Sequence, residues 1–218
     1  MDAALHLPPP ATVVRVFLIR HGSTEANERL PFVLQGCELD GPLSENGRRQ
    51  AAALARFLAP FEFAAIYSSP MRRTLETVSP IAESRGLAVA SIDALRECSV
   101  GRWAGLSWDE IRKREPRECQ RFLADPADVR HPDGESYRDL ASRVTSAIQE
   151  ILLQHRGQNI LIMAHNMVNR VLLAGMLGVD LRNVRRIRQT NCCINVLEHR
   201  EEVTEVLTVN SVWHLNDA

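Results

Sequence analysis

Apolar and polar positions along the chain sort into alternating strands and helices. Val13-Val14-Arg15-Val16-Phe17-Leu18-Ile19 is a β-branched, mostly apolar run of strand length, which predicts a buried strand, and it stops abruptly at Arg20-His21-Gly22. The run from Gln158 to Ala164 repeats the device and ends in His165. Ala64 to Ser68 predicts a short strand, Leu87 to Ile92 an edge strand, and Asn191 to Leu197 with Val203 to Val209 a closing hairpin around Glu201-Glu202. Helical spacing begins after the N-cap Ser44, with Ala51, Leu54, Ala55 and Leu58 on one face. It returns in a helix capped by Ser69-Pro70 that carries Met71, Leu75 and Val78. Further helices are expected from Ser107 to Phe122 with an interruption at Pro116, through Leu140, Val144, Ile148, Ile151 and Leu152, and from Met167 to Met176. Glu28 to Pro42, punctuated by Pro31, Gly36 and Gly41, predicts an irregular loop over whatever the first strand opens onto.

The pattern is that of an α/β protein, in which ligands collect beyond the carboxyl ends of the strands. Two histidines leaving two strand ends can face each other across one crevice. Arg20 brings a planar cation that forks onto phosphate or carboxylate, and Ser23, Thr24 and Asn27 add neutral donors within one turn. Arg72 and Arg73 fall in the first turn of a helix, where cations oppose the macrodipole unless an anion sits at that terminus.

Composition narrows the partners. The 218 residues, 45% hydrophobic and 24% charged, suit one domain over residues 12–218 behind a short flexible lead, residues 1–11, that contains Pro8-Pro9-Pro10 and lacks the make-up of a secretory signal. A net charge of -1 offers no electrostatic case for nucleic acid or an anionic membrane, so any anion affinity must be local. Five cysteines, odd in number and without metal-ligand spacing, indicate reduced thiols of a cytoplasmic protein; Cys192 and Cys193 are expected on a strand, pointing to opposite faces for packing.

Arg20-His21-Gly22-Ser23-Thr24-Glu25-Ala26-Asn27 resembles the signature of the histidine phosphatase superfamily, the phosphoglycerate mutase-like enzymes. Further family motifs follow in order: Gly36, Asp40, Pro42, Leu43, Glu45, Gly47 and Gln50 around the first helix start; Ser68 to Thr74; Glu97 shortly before Gly101-Arg102-Trp103-Ala104-Gly105; Pro132-Asp133-Gly134-Glu135-Ser136; and His165. The resemblance implies a three-layer αβα sandwich with a mostly parallel central sheet. It implies His21 as nucleophile, Glu97 as proton donor to the leaving group and His165 beside them, with Arg20, Asn27, Arg73 and Asn166 holding phosphate. Asn166 stands where the family usually has glycine. No metal or cofactor is called for, because arginines supply the charge. The implied partner is a small phosphorylated metabolite, and a homodimer is compatible with the family.

Ala26 and the stretch Glu97-Cys98-Ser99-Val100-Gly101-Arg102-Trp103 look like the phosphatase branch rather than the mutase branch. The competing readings are a mutase that returns the phosphoryl group and a non-catalytic module that binds phospho-ligands or dimerises. Trp103, Arg112 and His131, in the segment inserted before the long helix, are candidates for shaping substrate choice.

Overall fold

A computed structural model describes residues 7–215. In it β1 (Val13–Arg20) is apolar at nearly every position because both of its faces are covered. Val14, Val16 and Leu18 belong to one buried cluster, while Phe17 and Ile19 belong to another on the opposite side. Successive strand residues point to opposite faces, so an unbroken apolar run is what a central strand between two helical layers requires.

Around β1 lie β2 (Ala65–Ser68), β3 (Val89–Ser91), β4 (Asn159–Ala164), β5 (Ile194–Arg200) and β6 (Val203–Ser211), in the spatial order β3-β2-β4-β1-β5-β6. The pairings β1 with β4, β2 with β4 and β2 with β3 are parallel; β5 runs antiparallel to both β1 and β6. The expected three-layer, mostly parallel architecture is therefore present. α2 (Glu45–Leu58) and α3 (Arg72–Glu83) cover one face through Leu54, Leu58, Val78 and Ile81. α6 (Tyr137–Leu152) and α7 (Asn166–Leu177) cover the other through Leu140, Val144, Ile148, Val168 and Leu172. Among the described residues no helix is long and apolar enough to cross a membrane.

Local chemistry accounts for most element ends. Ser44 Oγ accepts the Gly47 N–H at 2.9 Å, the cap its position predicts. The expected helix from Ser107 to Phe122 is two helices, α4 (Trp108–Arg114) and α5 (Pro116–Ala124), because Pro116 cannot continue the first and instead opens the second. A short α1 (Glu25–Glu28) has no apolar period to announce it; Thr24 N–H donates to Asn27 Oδ1 at 3.1 Å and closes its start.

One expectation needs correction. Cys192 and Cys193 precede β5 rather than lying on it, since Cys192 takes a φ of 55°, a left-handed turn, and both thiols are fully buried. Of the lead, residues 1–6 lie outside the described residues; the Leu7 carbonyl accepts from Arg15 Nη1 at 2.7 Å.

Candidate active site

The site begins with strand register. Arg20 of β1 pairs with Ala164 of β4, so the next residue on each parallel strand, His21 and His165, leaves the sheet at the same level. Their rings lie 5.2 Å apart between centroids, inclined at 61°. Gly22 then lets the chain pass close over α2: a Cβ there would sit 2.8 Å from the Gly47 carbonyl oxygen. Its smallness thus serves backbone packing against Gly47.

A hydrogen bond sets the tautomer of His21. His21 Nδ1 is 2.7 Å from the Gly22 carbonyl, which can only accept, so the ring proton sits on Nδ1 and Nε2 keeps its lone pair. Burial, and then the charges of Arg73 and Arg20, hold its pKa well below the ordinary 6.5. His165 Nε2 is 2.8 Å from Ser69 Oγ, and that hydroxyl already accepts the Met71 N–H at 3.3 Å. That hydroxyl keeps a second lone pair and its own proton, so it can pair with either tautomer of His165, whose Nδ1 is buried without a partner. Burial, Arg73 and His21 lower the His165 pKa in the same way.

The cations are fixed by carbonyls as well as by carboxylates. Arg20 Nη1 donates to the Gln189 carbonyl at 2.7 Å, and Gln189 is in turn held by Asn169 and Asn195, all three buried. Arg73, 1% exposed, donates from Nη1 to the Leu39 carbonyl at 2.7 Å and from Nη2 to that of Gly36 at 3.0 Å, with Asp40 at 3.6 Å. Burial brings the Arg20 pKa down to about 10, which leaves it charged at neutrality. Arg20 Nε and Arg73 Nε are both buried without a partner. Asn27 Oδ1 takes the Thr24 N–H at 3.1 Å and Asn191 Nδ2 at 3.2 Å, which leaves its own amide nitrogen as the uncommitted donor.

Glu97 is 8% exposed, and its carboxylate rests on the start of α7. Both oxygens accept the Met167 N–H at 3.2 Å, and Oε1 also accepts the Cys98 N–H at 2.9 Å. Free N–H groups at a helix start are natural partners for carboxyl oxygens. The loop that presents Glu97 is clamped from α6: Arg143 donates to the carbonyls of Ala94, Arg96 and Glu97 and grips Glu135 with two parallel bonds of 2.7 and 2.9 Å. Glu135 Oε2 also accepts the Ser99 N–H at 2.8 Å.

These groups surround one cavity, lined by Arg20, His21, Asn27, Arg73, Glu97 and Asn166, with Phe32, Leu34, Val100 and Met167 as its apolar wall. His165 stands behind His21, fully buried, and is not among the lining residues. Of the neutral donors near His21, only Asn27 lines the cavity; Ser23 and Thr24 are buried, with Ser23 N–H donating to Gln50 Oε1 at 2.9 Å. Asn166 opens α7, and its Oδ1 is buried without a partner.

Three sequence candidates for substrate choice fall elsewhere. Trp103 is fully buried, its Nε1 donating to Glu115 at 3.0 Å. His131 packs with Trp103 and Phe122, its pKa pushed down to about 4 by burial. Arg112 pairs with Asp109 on the surface. The residues that sequence reasoning missed are those that orient others, namely Ser69, Gln189 and Asn191; single polar residues in turns carry no pattern that marks such a role.

The chemistry this arrangement permits is narrow. A neutral imidazole nitrogen opens onto a cavity ringed by buried, partly unpartnered N–H donors, and a carboxyl group stands at its edge. Such a site binds a tetrahedral oxyanion and can form a bond to its central atom. Residues 16–212 match the family model described as histidine phosphatase superfamily (branch 1). The chain is 31% identical over 205 residues to phosphoserine phosphatase 1 of Hydrogenobacter thermophilus, covering 94% of this chain and 96% of that one. It is 30% identical to a probable phosphoglycerate mutase of Serratia proteamaculans, covering 87% and 86%. Among solved structures, Bacillus stearothermophilus YhfR superposes with a TM-score of 0.85 at 30% identity, over 93% of this chain and 100% of that one.

Proposed function

The chain belongs to the histidine phosphatase superfamily, and we propose that it hydrolyses the phosphomonoester of a small metabolite through a phosphohistidine on His21. The observation that carries this is the presence beside His21 of two buried cations, Arg20 and Arg73, each with an Nε–H donor that has no partner. A phosphoryl group supplies the oxygens such donors lack. His21 Nε2 attacks phosphorus as the ester P–O bond breaks, and Glu97 gives its proton to the departing alkoxide. Arg20, Arg73, Asn27 and the N–H groups at Asn166 take up the charge on the transferring oxygens, while His165 donates from Nδ1 beside His21. Water then attacks the phosphohistidine, with Glu97 accepting its proton, and inorganic phosphate leaves. The arginines supply the positive charge, so no divalent ion is required.

The likeness to a probable phosphoglycerate mutase favours a second reading, in which the phosphoryl group returns to the substrate. One experiment separates them. Incubation with 3-phosphoglycerate and a bisphosphoglycerate primer, with chelator present, should release inorganic phosphate and form little of the 2-phospho isomer. A brief reaction with labelled ester and an alkaline quench should trap an acid-labile label on the His21 peptide, absent from His21→Ala. Fast isomer formation with negligible phosphate release, or label on another residue, overturns the proposal. The cytoplasm is the compartment proposed, supported by an odd set of cysteines of which Cys98, Cys119, Cys192 and Cys193 are buried free thiols. Support for the homodimer comes from exposed Val203, Leu207 and Val209 on the edge strand β6.

A further inference from the structure

Three buried carboxamides cluster next to Arg20, and the reaction above uses none of them. Asn169 on α7, Gln189 in the loop before β5 and Asn195 on β5 are each at most 4% exposed. Gln189 Oε1 accepts from Asn169 Nδ2 at 3.1 Å and from Asn195 Nδ2 at 2.9 Å. Gln189 Nε2 donates to Asn195 Oδ1 at 2.8 Å and to the Arg188 carbonyl at 2.9 Å. An amide has two N–H donors and an oxygen with two lone pairs, so every hydrogen-bonding position of the Gln189 side chain is filled. Asn195 carries the hold outward. Its Nδ2 also donates to the Leu18 carbonyl of β1 at 2.9 Å, and its Oδ1 accepts the Asn210 N–H of β6 at 2.9 Å. Gln189 is thereby tied to α7 and to three strands at once.

Apolar side chains would fill this space with no polar group to desolvate. What the saturated network supplies instead is a single geometry, because turning the Gln189 amide over would set its N–H groups against those of Asn169 and Asn195. That geometry bears on one atom, the Gln189 main-chain carbonyl oxygen, which accepts from Arg20 Nη1 at 2.7 Å. The backbone of the strand end is held by other bonds. Arg20 N–H donates to the Cys193 carbonyl at 3.3 Å and Cys192 N–H donates to the His21 carbonyl at 3.1 Å, neither of them through a side chain. The amides therefore add the aim of the guanidinium to a backbone that is already placed. A carbonyl suits the task better than a carboxylate would, since it orients the guanidinium through one N–H and leaves its net charge for an anion in the cavity.

We propose that Gln189 is a positioning residue of the phosphate-binding set, its locked side chain fixing the carbonyl that aims Arg20 into the cavity. The part given to Arg20 rests on the phosphatase reading. The hold of Gln189 on Arg20 shows in the binding of inorganic phosphate, which needs no turnover.

Calorimetric titration with inorganic phosphate tests this through a double-mutant cycle. Gln189→Met keeps the length of the side chain and removes both amide donors and the acceptor oxygen, and it should raise the phosphate dissociation constant about tenfold; added to Arg20→Met, it should change that constant by less than about twofold. A general loosening of the fold would act alike in both backgrounds. An unchanged dissociation constant in Gln189→Met, or a tenfold loss that persists on top of Arg20→Met, overturns the proposal. Should Gln189→Met not fold, Asn169→Ala, which removes one donor to the same oxygen, takes its place in the cycle. A loss of about threefold that disappears with Arg20→Met then supports the assignment, and no loss, or one that persists, overturns it. An unaltered protein that binds phosphate but releases none from esters contradicts the phosphatase reading and leaves the cycle decisive for Gln189; one that binds no phosphate overturns both.

Discussion

The strand ends that carry Arg20, His21 and His165 and the loops that carry Glu97 and Phe32 to Gly36 meet over one cavity, but different forces position them. On the strand side, the β1–β4 register fixes the backbone, and each imidazole then makes a single hydrogen bond that holds its ring, which for His21 also decides the tautomer. On the loop side there is no ladder. Glu97 is held by the start of α7, by Cys98 N–H and by the Arg143 clamp, and Gly36 and Leu39 are held through the guanidinium of Arg73. A sheet spreads its restraint over many backbone bonds, whereas a loop concentrates it in a few side chains. The strand wall should therefore tolerate single substitutions in geometry while losing chemistry, and the loop wall should lose geometry.

Glu97→Gln is expected to have the largest effect. Its amide oxygen can keep the Met167 and Cys98 N–H bonds, so the fold should hold while kcat falls by about 10²- to 10⁴-fold, the usual worth of a positioned acid. Steady-state rates alongside thermal melts check this; an unfolded variant or an unchanged rate would contradict the division between chemistry and geometry.

Arg143→Ala tests the loop wall from outside the cavity. Glu135 and three carbonyls lose their donor together, which should cost about 1–3 kcal/mol of stability and, by displacing Glu97, roughly 10- to 100-fold in kcat. Product inhibition by inorganic phosphate should change far less, because the strand wall binds it. A phosphate affinity that collapses with kcat would show that the two walls are not separable.

The buried histidines should make the fold sensitive to acid. His21 and His165 lie well below 6.5 and His131 and His214 near about 4, with burial the first cause in each. Above pH 6.5 neither the folded nor the unfolded chain protonates them appreciably. Below it the unfolded chain takes up protons that the folded one refuses, so stability falls by up to about 1.4 kcal/mol per unit for each group. Denaturant midpoints should drop between pH 7 and pH 5, and a flat profile would sink the claim that these rings are buried and neutral.

Asn166→Gly should change least. The start of α7 and its N–H groups remain, one unpartnered Oδ1 is removed, and kcat should match the starting value or rise within about threefold, with a stability cost of roughly 0.5–1 kcal/mol from the added backbone freedom. A severe drop would instead assign the asparagine side chain a contact with substrate.

Much of this was legible along the chain because its signals are local. The apolar run of β1, the cap at Ser44, the break at Pro116 and the two strand-terminal histidines each follow from residues within a turn or two of one another. Alternation of strands and helices implied an α/β fold, the family resemblance implied its three layers, and the motif residues His21, Arg73 and Glu97 do line one cavity. Trp103 and His131 were misplaced because an aromatic residue before a long helix suits a hydrophobic core as well as it suits a binding wall.

The sequence by itself determined the order of elements, the cations and imidazoles available, and the strand ends where chemistry could sit. Only the tertiary structure decided which nitrogen of His21 is free, that Glu97 rests on a helix start 70 residues further along the chain, and that Arg143 clamps the loop beneath it. The reason is physical. Periodicity and capping are energies between near neighbours in the chain, whereas a tautomer, a clamp or an unpaired charge depends on which distant groups the packed sheet and helices bring within hydrogen-bonding reach.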